Sequence, residues 1–409
     1  AIAGLLWGLN QRAARSPERE ARDTKDLEKK LDAVANRIAE SAVRAPTVWD
    51  RTKLKGDLRY RHEIIDDERS GNHDQRNRHR IRARLGVTHQ VNDEVNVTME
   101  LATGEPTTTT VVTKVGPPAA TTSVDTGTTS PTSTNQTLTG AFANKTVWLS
   151  QAYFDYKPRV IPGLSILGGK TPNLFNTPVG NSDLIWDTDI NPEGIAAVYK
   201  KKVAEGVEVF VQGGGFWVTE NSQAADVSLW AVQAGAKASV PGVEGAYVKV
   251  GGGYYDYGNV KGKPAVLAAA GNQTTGGAYV DDYDLAHSFA EIGFKVGPLG
   301  LVAFGDVVTN LGASDHSSGY LVGGSAAYQK VKVAYNYRML NNNAVLGSLA
   351  DGDVWQGNIS GTAHKVSGTY ALGKNWDASV TGIFTDRDKS NRAGADVQVW
   401  QFDLNFKIQ

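Results

Sequence analysis

Cysteine is absent from this chain of 409 residues, which excludes disulfide scaffolds, thiol catalysis, thiolate metal sites and covalently attached haem without fixing the compartment. An excess of one charge is absent too. The 42 Lys plus Arg nearly cancel 43 Asp plus Glu, for a net charge of -1, so a generic nucleic-acid binder is excluded. No apolar run approaches the roughly 18 to 20 residues that a membrane-spanning helix needs. That excludes a helical membrane protein and leaves a β-barrel open. Proline is scarce, with 14 against 45 Gly, and no short repeat accompanies the glycine, so neither collagen nor a low-complexity polymer fits.

Length alone suggests about three soluble domains, but the pattern from residue 54 onward is uniform and favours one large architecture. The expected division is an N-terminal segment and helix over 1–50 and a barrel over 51–409. The first ten residues, AIAGLLWGLN, lack a Met start, a basic n-region and a cleavage site, so the chain reads as already processed. A helix is predicted from Ser16-Pro17-Glu18, with Ser16 as N-cap and Pro17 at the first helical position, to near Arg44, before Pro46. Leu27, Leu31, Val34, Ile38 and Ala42 begin a heptad seam. Two readings follow: a small trimeric coiled coil supported by a larger interface, or an amphipathic helix lying on its own domain.

From Leu54 the chemistry alternates with period two, the signature of half-buried strands. Leu58, Tyr60, His62 and Ile64 alternate with Asp57, Arg59, Arg61 and Glu63, and Ile81, Ala83, Leu85 and Val87 alternate with Arg80, Arg82, Arg84 and Thr88. Fourteen further segments of this kind follow, at 94–103, 146–157, 163–170, 193–202, 206–218, 226–240, 243–257, 283–296, 299–309, 318–329, 331–341, 353–371, 374–386 and 396–408. The connections alternate between tight turns and long loops. Seven tight turns and eight longer loops are what sixteen antiparallel strands require when both termini lie at the tight-turn end. The predicted fold is therefore an all-β transmembrane barrel with short periplasmic turns and long outer loops, preceded by a short helix. Water is absent from the bilayer core, and closure satisfies every strand edge.

Strand parity assigns the faces. Trp400, Phe402, Leu404, Phe406 and Ile408 should meet lipid, with Gln401, Asp403, Asn405 and Lys407 on the other side. Val331, Val333, Tyr335, Tyr337 and Met339 oppose Lys332, Asn336 and Arg338. The lumen is expected to be polar throughout. Its first two strands carry Arg59, Arg61, Arg80, Arg82 and Arg84, with Arg78 in line; in a wet lumen such a wall attracts anions, or else it neutralises Asp57, Glu63 and the loop acids. Lys332 and Arg338 join the basic lining.

The connection TPNLFNTPVGNSDLIWDTDINP, residues 171–192, contains Asp183, Asp187 and Asp189, with Glu193 just beyond. Folded inward, it would set acids opposite the arginines at a narrow eyelet. A structural calcium site on Asp187 and Asp189 is a rival reading, without the glycine of an EF-hand, and loop capping is a third. The Thr- and Ser-rich loop 104–145 is expected to be exposed and mobile. Seven scattered His include no HExxH, and no Ser sits in a GxSxG frame, so no enzyme is expected. The glycine runs at 213–215 and 251–253 fall in strands and lack the helix N-terminus a phosphate loop needs.

GGKTPNLFNTPVGNSDLIWDTDINPEGIA (168–196), LKGDLRYRHEIID (54–66) and RNRHRIRARLGV (76–87) resemble the bacterial "putative porin" family of outer-membrane proteins, and 54–409 is compatible with it. The resemblance implies a sixteen-stranded, trimeric outer-membrane diffusion channel, without cofactor, constricted by the loop after strand five. By motif, Asp183, Asp187, Asp189 and Glu193 carry over to that loop and the arginines of 76–84 to the facing wall. The ending Phe406-Lys407-Ile408-Gln409 departs from a terminal aromatic residue. The expected function is passive diffusion of ions and small hydrophilic solutes, with outer-membrane lipid and lipopolysaccharide around the barrel. The N-terminal helix is expected in the periplasm, where it can contact peptidoglycan. The alternatives are a closed barrel serving as an envelope anchor, or a substrate-selective, phosphate-type anion channel. A sheath around an electron carrier is disfavoured by the missing haem motif.

Overall fold

The computed structural model describes residues 17–41, 48–68, 75–105, 107–115, 120–129, 132–175, 183–222, 224–265, 268–387 and 396–408. The chain falls into two compact units, Ala1–Arg51 and Thr52–Gln409. In the first, helix α1 spans Pro17–Ser41, starting where the sequence placed it. Leu27, Leu31 and Val34 are exposed on it, and Asp26 pairs with Lys30 at 2.8 Å across one turn. The apolar segment 1–10, Ser16, Ala42, Arg44 and Pro46 lie outside the described residues, as does the side chain of Ile38.

The second unit is a closed barrel of sixteen antiparallel strands. They are β1 Thr52–Asp67, β2 Arg76–Gln90, β3 Val95–Thr103, β4 Val147–Tyr156, β5 Leu164–Lys170, β6 Glu193–Ala204, β7 Val207–Thr219 and β8 Val227–Ser239. The remainder are β9 Tyr247–Gly258, β10 Tyr283–Val296, β11 Leu299–Asn310, β12 Ser318–Tyr328, β13 Val331–Leu340, β14 Gly361–Gly373, β15 Trp376–Asp386 and β16 Val397–Ile408. Each strand pairs with its sequence neighbour, and β1 pairs with β16 from Gly56↔Ile408 to Asp67↔Val397. Both ends of the strand order thus meet, and the sheet has no free edge strand.

Tight turns and long loops segregate to opposite ends of this cylinder. At the turn end Gly163 takes φ +96, and an added Cβ would lie 2.2 Å from the Lys200 carbonyl oxygen, so only glycine closes that corner. The face assignment by parity holds on every strand where it was made. Trp400, Phe402, Leu404, Phe406 and Ile408 are exposed, whereas Gln401 and Asp403 are buried. Tyr60, Leu85, Val87, Val333, Tyr335, Trp376 and Val380 likewise face outward, giving the barrel an apolar outer band.

Three expectations fail. The segment 353–371 is not strand throughout: β14 begins at Gly361, and Gly352–Trp355 is a single helical turn, α2. Asp351 caps that turn by accepting the Asp353 backbone N–H at 2.9 Å, and Gln356 ends it in the left-handed region. The loop 104–145 is only partly as expected. It contains a hairpin, Thr107–Val115 paired with Ala120–Thr129, and Thr134, Asn135, Gln136 and Thr137 are buried. β3 covers β2 only from Arg84 to Gln90, and Gln136-Thr137 pairs with Ile81 and Arg80 to cover the backbone beyond.

The lumen, lastly, is not polar throughout. Near the loop end an apolar cluster sits inside the barrel. Wall residues Leu285, Val308, Leu321, Leu340, Ile383 and Val399 meet Phe175, Leu184 and Trp186 from the loop after β5 and Val345, Leu346, Val354 and Trp355 from the loop after β13. Parity says which face points inward; it does not say whether water or a loop covers that face.

The two faces predict opposite tolerances. Val322→Arg places a charge on the outer band and is expected to cost about 2–4 kcal/mol of folding free energy in a bilayer. Ser325→Arg, on the inward face of the same strand, should cost much less. Urea titrations of folding into lipid vesicles check both; equal costs would reject the face assignment.

Candidate functional site

The inward faces of β1 and β2 are in register, so their charges form rungs: Asp57↔Arg84, Arg59↔Arg82, Arg61↔Arg80 and Glu63↔Arg78. Two rungs set arginine directly opposite arginine, which is unfavourable without partners. Acids from three sources supply them. Asp57 accepts from Arg82 at 2.9 Å and from Arg84 at 2.7 Å. Glu63, fully buried, accepts from Arg78 at 2.6 Å and Gln401 at 3.1 Å, with Arg61 at 3.5 Å and Arg80 at 3.8 Å. Asp403 of β16 takes a bidentate pair from Arg61 at 2.7 and 2.9 Å.

The third source was not foreseen. Asp353, on α2, reaches Arg61 at 2.7 Å and Arg80 at 3.8 Å, and those guanidiniums hold its carboxyl well below the usual carboxylate range against the opposing cost of burial. Arg59 instead donates to Asn135 of the loop after β3. The Nε atoms of Arg59 and Arg80 are buried without a hydrogen-bond partner among the described residues.

The loop after β5 runs inward on both sides of residues 176–182, which lie outside the described residues. Phe175 and Trp186 pack edge-on against Tyr255 of β9, with centroids 5.6 and 5.2 Å away, and the Trp186 indole donates to the Tyr257 hydroxyl at 2.6 Å. The Asp187 backbone N–H donates to the Leu349 carbonyl at 2.7 Å, joining this loop to the one after β13. Beneath the aromatics a chain of polar side chains crosses five strands. Gln212 donates to Gln233 at 2.7 Å, Gln233 to the Tyr255 hydroxyl at 3.1 Å, and His287 links Tyr255 at 3.5 Å to Asp306.

The sequence-predicted acids separate in space. Asp183 does not meet the β1–β2 arginines; it pairs with Arg338 of β13 and, at 3.0 Å, with Lys365 of β14. Asp351 joins them, 3.2 Å from Lys365 and 3.9 Å from Arg338. The cationic pair holds the Asp183 carboxyl below its ordinary range despite full burial, whereas burial and Asp183 itself push Asp351 up.

Asp189 does approach the wall, 3.9 Å from Arg84, and accepts from the Thr134 N–H at 3.0 Å and hydroxyl at 2.8 Å. Asp187 accepts from the Asp189 backbone N–H at 2.9 Å, and burial followed by the Asp189 charge pushes its carboxyl up to about 7. Glu193 is outside the inward group altogether. It shares the outward parity of Ile195 and pairs with Lys170 at 2.7 Å, because β6 starts there and its first residue points away from the lumen. Lys332 is exposed near the turn end, remote along β13 from Arg338. Among the described residues no group of three or more His, Cys, Asp or Glu converges on a metal position, and the carboxylates of Asp187 and Asp189 are occupied by a turn N–H, Thr134 and Arg84.

Asp351, Asp353 and Lys365 were missed. Lys365 was legible from parity, since it alternates with the outward-facing His364. Asp353 was hidden by reading its segment as strand.

A closed sixteen-stranded antiparallel barrel, with a loop after the fifth strand folded into a charged lumen, is the porin class of fold. The "Putative porin" family matches residues 119–292, and the resemblance read from the sequence is found again over that stretch. Among solved structures, OmpF of Salmonella typhi in complex with daunomycin is 12% identical, with 87% of this chain and 97% of that chain covered at TM-score 0.50. A triple mutant of the Rhodopseudomonas blastica porin is 13% identical, covering 87% and 100% at TM-score 0.48. A loop-deletion mutant of OmpT, an outer membrane protein of Vibrio cholerae, is 13% identical, covering 87% and 99% at TM-score 0.45. A search of curated proteins finds no match.

Asp187 gives the loop a pH response. A carboxyl raised in the folded state favours the protonated form, so its contribution is fully present below about pH 4 and is lost as pH rises through about 7. Hydrogen exchange of 183–190, corrected for intrinsic rates, should therefore quicken between pH 5 and 8. Asp187→Asn should flatten that profile; an unchanged slope would rule Asp187 out as its source.

Proposed function

We propose that this chain is an outer-membrane porin that lets ions and small hydrophilic solutes diffuse through the barrel. The observation that carries this reading is the loop after β5 seated inside a barrel whose outer band is apolar and whose wall is charged. In a bilayer such a band replaces lipid-facing helix, and a lumen of sixteen strands is wide enough for water beside the inserted loops.

The charged wall sets the selectivity. Six guanidiniums, Arg59, Arg61, Arg78, Arg80, Arg82 and Arg84, stand against the carboxylates Asp57, Glu63, Asp353 and Asp403. Asp189 only approaches them. The eyelet therefore favours anions, with Arg338 and Lys365 on β13 and β14 balanced by Asp183 and Asp351. No solute follows from this geometry beyond small hydrophilic anions, phosphate among them. Three chains assemble around the barrel, with lipid and lipopolysaccharide at the outer band, and α1 lies in the periplasm, where it supports the trimer or touches peptidoglycan.

One observation favours a second reading. The apolar cluster at the loop end, built from the loops after β5 and β13, would suit a closed barrel that anchors the envelope. Single-channel recording in a planar bilayer separates the two. Large stable steps, in groups of three, are expected for the porin; no conductance from correctly folded protein would support the anchor.

Two variants test the finer parts. Replacing Arg80, Arg82 and Arg84 together with Ala is expected to move the reversal potential in a salt gradient toward cations, and an unchanged potential would remove these residues from the eyelet. Deleting 17–41 should weaken the trimer in native electrophoresis, whereas an undisturbed trimer would reject a role for α1 in assembly.

A further inference from the structure

The turn-end lumen wall from β6 to β10 carries a second charged surface that the eyelet does not use. Lys200 and Lys202 share the inward parity of the buried Ala196 and Val198. Lys202 faces Glu208, Glu208 faces Lys237, Lys237 faces Lys249, and Lys249 faces Glu291 across successive strands. Neighbouring strands lie about 4.8 Å apart, so Lys237 and Lys249 are set directly opposite each other, with Glu208 beyond Lys237 and Glu291 beyond Lys249 on the same rung. Lys200, Lys202 and Lys237 are exposed and make no ion pair among the described residues.

Aromatic rings lie among these ammonium groups. Lys237 sits 3.9 Å above the Tyr247 ring, and Lys249 lies 6.0 Å from the Phe210 centroid. Phe210 and Phe289 stack at 6.4 Å with 14° between planes. They reach over Gly235 and Gly251, where an added Cβ would lie 2.5 Å from each ring edge. The glycines let the rings rest against the wall, and Phe210, inward by parity, stays half-buried. The acids present are Glu208 and Glu291, and Glu291 already accepts the Tyr247 hydroxyl at 2.8 Å.

Resting on the channel reading above, we propose that this wall is a binding station for organic anions carrying a flat ring, such as aromatic carboxylates. The carboxylate is held by Lys200, Lys202 and Lys237, whose three charges outnumber the single Glu208 set between Lys202 and Lys237, and the ring stacks on Phe210. Charge alone would hold any anion; the aromatic platform between the lysines selects those that also bury a ring, since ring contact adds to the charge attraction.

The test is isothermal titration of 1-naphthoate into the folded full chain in detergent, with empty micelles as blank and acetate as the ring-free comparison. Saturable naphthoate binding, tighter than acetate by at least about tenfold, is expected. Replacing Lys200, Lys202 and Lys237 with Gln should abolish it, Arg at the same positions should restore it, and Phe210→Leu should bring naphthoate down to the acetate level. These positions are exposed or half-buried, and heat-modifiable gel migration verifies that each variant folds. No saturable binding by folded wild-type chain, or binding indifferent to the Gln variant, overturns the station. Binding lost with the lysines but unchanged in Phe210→Leu overturns the aromatic selectivity. The titration does not depend on conductance, so a channel that fails to conduct would sink the porin reading and leave this result standing on its own.

Discussion

Closure of the sheet is the interaction on which the rest depends. An antiparallel sheet leaves a row of unpaired N–H and C=O groups at each edge, and in a medium without water those groups have no other partner. The β1–β16 ladder, running from Gly56 and Ile408 to Asp67 and Val397, removes both edges at once. It also brings Asp403 beside Arg61, so the same register that closes the backbone supplies the first counter-charge to the arginine wall. Where β3 is too short to cover β2, Gln136 and Thr137 continue the pairing, and this places Asn135 against Arg59.

The lumen follows from that closure. Charges that face inward are neither in lipid nor in bulk water, and their cost depends on partners. The loops provide them in two separate groups: Asp353 to the β1–β2 arginines, and Asp183 with Asp351 to Arg338 and Lys365. Breaking a buried pair by removing one partner typically costs about 3–5 kcal/mol, because the other charge is left buried alone. The loops after β5 and β13 are therefore held by electrostatics at their tips and by the Phe175, Trp186 and Trp355 cluster behind them.

Strand number, turn-and-loop alternation, the placement of both barrel ends at the turn end and the faces of the strands read by parity were legible in the sequence. Each depends on short-range periodicity, which one chain displays directly. The site was legible only in its ingredients. That the loop after β5 turns inward was anticipated as one reading, yet Asp183 meets Arg338 across the barrel, and Glu193 turns outward with Ile195. Those outcomes depend on how far a loop reaches and on Glu193 being the first residue of β6, where regular alternation points it away from the lumen.

The sequence by itself determined the barrel and its two faces, because alternation with period two and the sorting of turns by length are local properties of the chain. Only the tertiary structure decided which charges meet, because Asp353 and Arg61 lie 292 residues apart along the chain and Asp183 and Lys365 lie 182 apart. It also decided that part of the inward face is dry. Parity orients a side chain, but what covers it is set by loops returning from elsewhere, and their packing free energy is a property of the closed barrel and of no single segment.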